Sequence, residues 1–279
     1  MKTSFKHRGR LAGFVRQQGF TLVELAVVLA VIGLIIGAVA IGKDVQRNAE
    51  YTKIKNKFID QWEQAYNQYY QRTGTVLGDS QTQPQNMVNG QSFADGGARS
   101  GRDMTKVTPP DAICRDGKGQ GMTRNADATL DLRVLMTRAG IRMPPGRAEG
   151  LEDRYVYLDS NGNPQEVQVC FQWNVPLADS SADNAVGDGT GNVMVITGLT
   201  PDLARALDQM IDGKPDEREG RFRRQGVENN AGPGGSSTPI NAPGLEWQAT
   251  NRDLIGTNND RNLDEDQVAI VTAIYRMNQ

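Results

Sequence analysis

Histidine is almost absent from this chain, and its scarcity excludes several kinds of catalytic chemistry. The 279 residues include a single histidine, His7, close to the start of the chain. Everything beyond it lacks a side chain for a Ser-His-Asp triad, a histidine general base or a histidine zinc ligand. Carboxylate pairs such as those of glycosidases remain, but nothing in their spacing separates them from surface acids. We therefore predict that the protein is not an enzyme.

Acidic side chains are missing from the first 19 residues, which carry five basic ones. Those five are Lys2, Lys6, Arg8, Arg10 and Arg16. Removing them from the chain's 31 basic residues leaves 26 against 33 acidic residues, a formal net charge of −7. Such an acidic surface argues against sequence-independent DNA binding through a broad basic face. A local arginine cluster remains, which we interpret as a solvated loop or a strand edge. Its members are Arg218, Arg221, Arg223 and Arg224.

Charge is also nearly absent from the stretch that follows. Residues 20–42 form an apolar run of 23 residues in which Glu24 is the one charged side chain. At a rise of about 1.5 Å per residue, this helix would cover about 35 Å, enough to cross a hydrocarbon core of roughly 30 Å. The basic residues before the run predict a cytoplasmic N-terminus. The run is longer than the core of a secretory signal, and no small-residue cleavage site follows it.

The stretch from Gly19 to Leu25, GFTLVEL, resembles the processing and methylation signature of type IV prepilins and of the pseudopilins of type II secretion. In that family a membrane peptidase cuts after the glycine and then methylates the new N-terminal residue. The resemblance implies cleavage between Gly19 and Phe20 and N-methylation of Phe20. It also implies that subunits assemble through the apolar helix. The resemblance covers residues 19–73 well and the rest of the chain little.

Glu24 is the residue of this signature whose burial in a membrane is unfavourable. A carboxylate inside a membrane span costs roughly 2.5–3.5 kcal/mol on insertion scales, so it needs a partner. We predict that Glu24 pairs with the cationic amine of Phe20 on a neighbouring subunit during assembly. The alternatives are a pair with its own Phe20 amine, one helical turn away, and snorkelling of the carboxylate to the lipid headgroups.

Two glycines, Gly33 and Gly37, form a G-x-x-x-G pattern inside the run, and we predict that they also serve assembly. Small residues at this spacing allow close approach of helices in a membrane. The resemblance gives a second interpretation, because filament pilins often lose helical structure near a glycine that matches Gly33. The proline that the family often has near Ile41 is not present here. Both interpretations stay open.

The helix is expected to continue beyond the membrane as an amphipathic half. Apolar and aromatic side chains recur there at steps of three and four, which places them on one face. They are Tyr51, Ile54, Phe58, Trp62, Ala65, Tyr66 and Tyr69. Gly74 then ends the helix as a C-cap. We predict four parts: a removed basic leader (1–19), a transmembrane half (20–42), an amphipathic half (43–73) and a globular β-rich head (74–279).

The predicted fold class is α+β, in which the long helix packs on a C-terminal antiparallel sheet with long loops. Four strands are predicted: alternating apolar and polar residues predict the first two, which form a hairpin, and an apolar, β-branched run predicts the last. The strands cover residues 154–158, 166–173, 192–197 and 267–277. Helical spacing predicts further helices at residues 129–139 and 201–211. Stretches rich in Gly, Asn and Ser predict three loops. The loops cover residues 75–106, 178–191 and 226–244.

The head holds the two cysteines, Cys114 and Cys170. In an oxidising periplasm such a pair predicts a disulfide, and two free thiols are the alternative. Two acidic stretches, at residues 208–217 and 259–266, contain the oxygen ligands that calcium prefers, but neither has EF-hand spacing. We interpret both as solvated charge and predict no cofactor. The calcium candidates are Asp260, Asp264 and Asp266.

These expectations describe a structural subunit of a type IV pilus-like filament, and the size of the head favours a minor or tip subunit. The alternatives are a pseudopilin of a type II secretion system, or an adhesin or DNA-uptake receptor carried on a pilus. Expected partners are other pilin or pseudopilin subunits, prepilin peptidase, a membrane assembly platform and inner-membrane lipid, with a surface ligand or DNA under the receptor alternative. The expected location is the bacterial inner membrane, as a single-pass protein, and then a periplasmic or extracellular filament.

Overall fold

The computed structural model of the chain describes most of the long helix and much of the head. The described residues are 21–93, 109–115, 130–174, 191–217, 220–225, 247, 252–255, 262–268 and 270–278. The chain divides into two compact units, Met1–Arg47 and Asn48–Gln279. The predicted boundaries after residues 19, 42 and 73 stay predictions.

The N-terminal helix is continuous from Leu22 to Thr73. It consists of α1 (Leu22–Ile54), a single π-helical turn (Lys55–Ile59) and α2 (Asp60–Thr73). The π-helical turn was not predicted, because the three-four spacing of the apolar residues runs through it unchanged. Gly74 ends α2 in a left-handed conformation, with φ 74° and its N–H donating to the Tyr70 carbonyl at 2.9 Å, as the C-cap prediction requires.

An antiparallel sheet of five strands follows in the second unit, so the α+β class is confirmed. Its spatial order is β1-β2-β3-β7-β4, and every pair in it is antiparallel. The strands are β1 (Arg154–Leu158), β2 (Pro164–Asn174), β3 (Gly191–Leu199), β4 (Phe222–Arg224) and β7 (Val271–Arg276). Two more strands, β5 (Arg252–Ile255) and β6 (Asn262–Val268), form a separate antiparallel ribbon.

The closing strand predicted at residues 267–277 is present as β7 (Val271–Arg276), but its predicted start at residue 267 was wrong. Gln267 and Val268 end β6, which pairs with β5, and a new strand begins at Val271 and pairs with β3 and β4. The apolar, β-branched run did not reveal this break, because both halves of it are extended. The predicted hairpin of β1 and β2 is confirmed, with Leu158 opposite Pro164 next to the turn.

Helix α2 packs through its aromatic stripe on one face of the sheet. The rings of Trp62 and Tyr66 both contact Phe171 of β2, with centroid distances of 6.2 and 5.2 Å. The Trp62 indole N–H also donates to the Glu152 carbonyl at 3.2 Å. Since Trp62, Tyr66 and Phe171 are at most 1% exposed, these contacts build the main core of the head.

A smaller apolar cluster covers the opposite face of the sheet. It consists of Ala112, Cys114, Cys170, Val193, Val195 and Ile274. The segment from Ala112 to Cys114 is attached to β2, because Ile113 makes two backbone hydrogen bonds with Phe171, at 2.7 and 3.0 Å. The sheet is therefore buried on both faces in its central strands.

Two short helices flank the sheet, and polar side chains set where each begins. Helix α3 (Leu132–Arg138) starts at Asp131, whose side chain accepts the Arg133 N–H at 2.8 Å, so it begins later than the predicted residue 129. Helix α4 (Pro201–Ile211) starts at Thr200, close to the predicted position. The Tyr157 hydroxyl accepts the Thr200 N–H at 2.9 Å and thereby connects β1 to α4.

Candidate processing and assembly site

The start of α1 is capped by a reciprocal pair of residues from the predicted signature. The Thr21 N–H and the Thr21 hydroxyl donate to Glu24 Oε2 at 2.8 and 2.9 Å, and the Glu24 N–H donates to Thr21 Oγ1 at 3.3 Å. This is a capping box, which satisfies backbone donors that a helix start leaves unpaired. The sequence predictions missed this role, although Thr-x-x-Glu before an apolar run is its known pattern.

The cap uses only one oxygen of the Glu24 carboxylate. Within the described part of the chain, Oε1 makes no hydrogen bond, so it can still accept from a cation while Oε2 holds Thr21. Gly19 and Phe20 lie outside the described residues, so the structure does not test the pair between Glu24 and the Phe20 amine. That pair stays a prediction, and capping by Thr21 is compatible with it.

The large apolar residues of α1 are exposed from Leu22 to Val45, whereas Tyr51 and Ile54 near its end are buried. Leu22, Leu34 and Ile41 are 88%, 74% and 68% exposed. Eleven other large apolar side chains of α1 are also exposed: Val23, Leu25, Val27, Val28, Leu29, Val31, Ile32, Ile35, Ile36, Val39 and Val45. Since exposing apolar surface to water costs about 25 cal/mol per Å², this surface requires lipid or another protein around it.

Gly33 and Gly37 lie on this open surface. A Cβ atom built at either glycine has no heavy atom within 4 Å, apart from the chain neighbours and the backbone of its own helix. Both residues lie inside regular α-helix. The described part of the chain therefore gives these glycines no packing partner, and their predicted role in close helix approach stays a prediction.

By length and composition, the helix Leu22–Thr73 is suited to crossing a membrane, and none of its most apolar 18-residue stretch is buried. A signal sequence also meets these criteria of length and composition. The residues at the start of the helix are therefore needed to distinguish a signal sequence from a membrane-spanning helix. Residues 15–40 match the family model of the prokaryotic N-terminal methylation motif. The chain carries the type IV pilin and pseudopilin signature. The match includes Gly19, Phe20 and Glu24, the residues predicted for processing and assembly.

The signature indicates a processed subunit like those of type IV pili and pseudopili. It implies cleavage by a prepilin peptidase and assembly with other pilin subunits. It also fits an apolar anchor that is later built into a filament, and a structural role. No curated protein and no solved structure matches the chain. The match ends at residue 40, so it gives no information about the role of the head.

The two cysteines of the head form the predicted disulfide. Cys114 and Cys170 are joined across 56 residues of sequence, and both are fully buried. The bond attaches the segment that contains Ile113 to strand β2, on the face of the sheet opposite α2. The alternative of two free thiols is therefore wrong for this structure.

The arginine cluster lies partly on the sheet edge, as one of its two interpretations proposed. Arg223 and Arg224 belong to β4, the last strand of the sheet. Arg221 is not simply solvated, because its guanidinium lies 3.1 Å from Glu63 and 4.9 Å above the Tyr275 ring centre. These contacts give Arg221 a structural role, and Arg218 lies outside the described residues.

Among the residues that the structure describes, no group of three or more acidic, histidine or cysteine side chains is arranged to hold a metal ion. Asp260 lies outside the described residues, as do the side chains of Asp264 and Asp266, so calcium at that stretch stays untested. The other stretch is not simply solvated charge, because Asp208 and Asp216 are buried.

Proposed function

We propose that the protein is a minor or tip subunit of a type IV pilus-like filament. A prepilin peptidase removes residues 1–19 and methylates Phe20. The subunit waits in the bacterial inner membrane as a single-pass protein with a cytoplasmic N-terminus. A membrane assembly platform then builds it into the filament through residues 20–42.

The match of residues 15–40 to the methylation motif is the observation that supports this proposal. The exposed apolar surface of α1 agrees with it, because neighbouring helices in a filament would cover what lipid covers beforehand. The capped Glu24 agrees as well, since one of its oxygens makes no hydrogen bond to the described residues and could accept from the amine of another subunit. Lipid and neighbouring subunits would thus occupy the same surface in turn.

The minor or tip role is supported by the size of the second compact unit, Asn48–Gln279. Its head is larger than the resemblance leads us to expect of a major pilin. The same size fits a pseudopilin of type II secretion, which is the alternative. A minor subunit would be scarce in sheared filaments and its loss would affect surface fibres, whereas loss of a pseudopilin would block enzyme export and leave fibres intact.

Processing can be tested with a pair of glycine substitutions in the leader. Gly19→Ala should leave an unprocessed form that keeps the basic leader, because the peptidase of this family cuts after that glycine. Gly13→Ala is the matched control, since Gly13 also precedes a phenylalanine but lacks the glutamate five positions later. Intact-mass measurement of membrane fractions separates the two forms. Normal trimming of the Gly19→Ala chain would contradict the cleavage assignment.

A further inference from the structure

A groove on the head lies against one flank of helix α2. It is formed between that helix and the loop of residues 142–152, which connects α3 to β1, and it has a volume of about 670 Å³. This volume falls within the range of roughly 300–1,000 Å³ that ligand sites of proteins occupy. The residues that line it belong to the described part of the chain and to the second compact unit. The groove is therefore a candidate binding site that the filament role does not use.

Both sides of the groove are held in place by the fold. The Trp62 indole N–H of α2 donates to the Glu152 carbonyl of the loop at 3.2 Å. The Arg72 guanidinium at the end of α2 donates to the Ala139 carbonyl at 2.9 Å. Within the loop, Gly146 packs so closely on Glu152 that a Cβ atom at Gly146 would lie 2.5 Å from the Glu152 backbone. Binding therefore needs little ordering of the site, and such ordering is a cost that weakens association.

Three glutamine side chains supply polar groups on the helix side of the groove. Gln61, Gln64 and Gln68 lie three and four residues apart, which places them in one row along α2. Within the described residues, none of their side-chain amides makes a hydrogen bond. Each amide offers two N–H donors and a carbonyl acceptor. This glutamine row therefore suits a ligand whose groups both donate and accept hydrogen bonds, as hydroxyl groups do.

The charged side chains of the groove are of both signs. Arg142, Glu149 and Glu152 supply one positive and two negative charges. The Glu152 carboxylate already accepts the Gly150 N–H at 2.9 Å. The lining also includes the apolar side chains of Ala65, Met143, Pro144 and Pro145. This composition is unfavourable for a strongly anionic ligand and suits an uncharged one that has apolar surface as well as polar groups.

The spacing of the glutamine row distinguishes two kinds of uncharged chain. At a rise of about 1.5 Å per residue, neighbouring amides of the row are about 5 Å apart along the helix axis. An extended peptide repeats its same-side groups every two residues, about 6.6 Å, so it does not stay in register with the row. A chain of β-1,4-linked pyranose rings advances by about one helical turn per ring, and it presents hydroxyl groups from every ring at both edges. The row therefore matches a sugar chain better than a peptide.

We propose that this groove binds an uncharged, extended oligosaccharide of β-1,4-linked pyranose rings. Gln61, Gln64 and Gln68 pair with hydroxyl groups of successive rings, and Met143 and Pro144 contact the C–H faces of the rings. Binding is a function of the head that goes beyond the proposed filament role. Because the groove belongs to the head alone, the failure of either proposal leaves the other standing.

The side-chain amides of the glutamine row report on binding directly. Full-length protein labelled with ¹⁵N-glutamine is titrated with cellopentaose and with chitopentaose, and its side-chain amide signals are followed by NMR. A phosphocholine detergent is used, because glucoside and maltoside detergents carry sugar head groups. The single variants Gln61→Ala, Gln64→Ala and Gln68→Ala assign the signals. We expect these three signals to move together and to saturate with at least one of the two sugars, with a Kd of about 1 mM or below.

Alanine variants on α2 test whether the row itself binds the sugar. Gln64→Ala combined with Gln68→Ala should keep the fold, because both side chains are exposed and alanine favours helix. We expect this double variant to bind about tenfold more weakly or worse, since the hydrogen bonds to two amides are lost. Asn67→Ala is the matched control, because Asn67 carries an amide on the same helix outside the groove. It should bind as tightly as the wild type.

Two further ligands test the chemistry of the groove. A pentamer of β-1,4-linked glucuronic acid has the same linkage as cellopentaose but a carboxylate on every ring. It should bind more weakly than cellopentaose, because Glu149 and Glu152 line the groove. A soluble, uncharged peptide of alternating serine and threonine should leave the glutamine signals unchanged.

Three outcomes would overturn the proposal. Neither uncharged pentasaccharide could move the three glutamine signals at millimolar concentration. The double variant could fold and bind the sugar as tightly as the wild type. Finally, the peptide or the acidic pentamer could bind more tightly than both uncharged pentasaccharides, which would assign the groove to a different class of ligand.

Discussion

At the scale of single residues, Glu24 has a local role as a cap, and we propose that it also pairs with a neighbouring subunit. Its Oε2 caps α1 with Thr21, and Oε1 makes no hydrogen bond to any residue that the structure describes. Glu24→Gln keeps an oxygen for the cap but removes the charge, and losing one partner of a buried charge pair costs about 2–5 kcal/mol. We therefore expect normal trimming and at least tenfold lower incorporation into filaments, measured by immunoblot of sheared fibres.

The matched control for that variant is Thr21→Val, which removes the hydroxyl of the cap and keeps the carboxylate. It should reduce incorporation less than Glu24→Gln, because a lost cap costs only about 1 kcal/mol. If Glu24→Gln assembles as well as the wild type, the charge pair does not drive assembly. The capping box would then be the whole role of Glu24.

The disulfide also acts at the scale of residues. In the chain-entropy model, a bond between Cys114 and Cys170 across 56 residues stabilises the head by roughly 4 kcal/mol. We expect Cys114→Ala with Cys170→Ala to lower the free energy of unfolding in urea by about that amount, at fixed pH. A reductant should destabilise the wild type and leave the double variant unchanged. An effect of the reductant below about 1 kcal/mol would contradict a stabilising role.

At the scale of elements, Glu63 connects helix α2 to the far edge of the sheet. One of its oxygens pairs with Arg221 at 3.1 Å, and the other accepts the Tyr275 hydroxyl at 3.0 Å. Arg221 is partly exposed, so the pair is screened by solvent and contributes little alone. We expect a double-mutant cycle of Glu63→Ala and Arg221→Ala to give a coupling energy of about 1 kcal/mol in urea unfolding.

The control for this cycle replaces Arg221 by Ala together with Asp60 by Ala. Asp60 lies on the same helix but pairs with Lys55 at 2.9 Å, so its coupling to Arg221 should be near zero. Equal coupling in both cycles would mean that the measured energy reflects general charge and not the contact between Glu63 and Arg221.

Helices and strands whose apolar residues recur at a regular spacing were predictable from the sequence. Strands whose bounds depend on pairing with distant strands were not. The three-four stripe through Trp62 and Tyr66 predicted the long helix, and alternation predicted the hairpin of β1 and β2. Strand β4 was not predicted as an element, because it is three residues long and exists through pairing with β7, far away in sequence. The break between β6 and β7 is likewise decided by which strands they pair with.

In the candidate site and in the head, too, features carried by neighbouring residues were predictable, and features that depend on distant contacts were not. The signature gave Gly19, Phe20 and Glu24 directly, because its residues are contiguous. The Thr21 cap was readable from Thr-x-x-Glu and was missed. The contact of Asp208 with Trp247 joins residues 39 positions apart, so no local pattern could have indicated that the acidic stretch at 208–217 is partly buried.

At the scale of the whole molecule, the chain combines an exposed apolar helix with a disulfide-bonded head. The first unit contains the signature, and the second has a core on each face of its sheet. The residues of α1 that would be unfavourable in water are those that lipid or neighbouring helices would cover. This division agrees with the proposed filament subunit, in which the apolar helix would assemble with other subunits and the head would remain outside that contact.

The central claim is tested most directly by the N-terminus of the protein in fibres. Filaments sheared from cells would be imaged, and the mass of this subunit and of its N-terminal peptide would be measured. We expect a chain that begins at N-methylated Phe20 and is present within the fibres. A chain that begins at Met1, is absent from every fibre and exists as monomers in the membrane would contradict it.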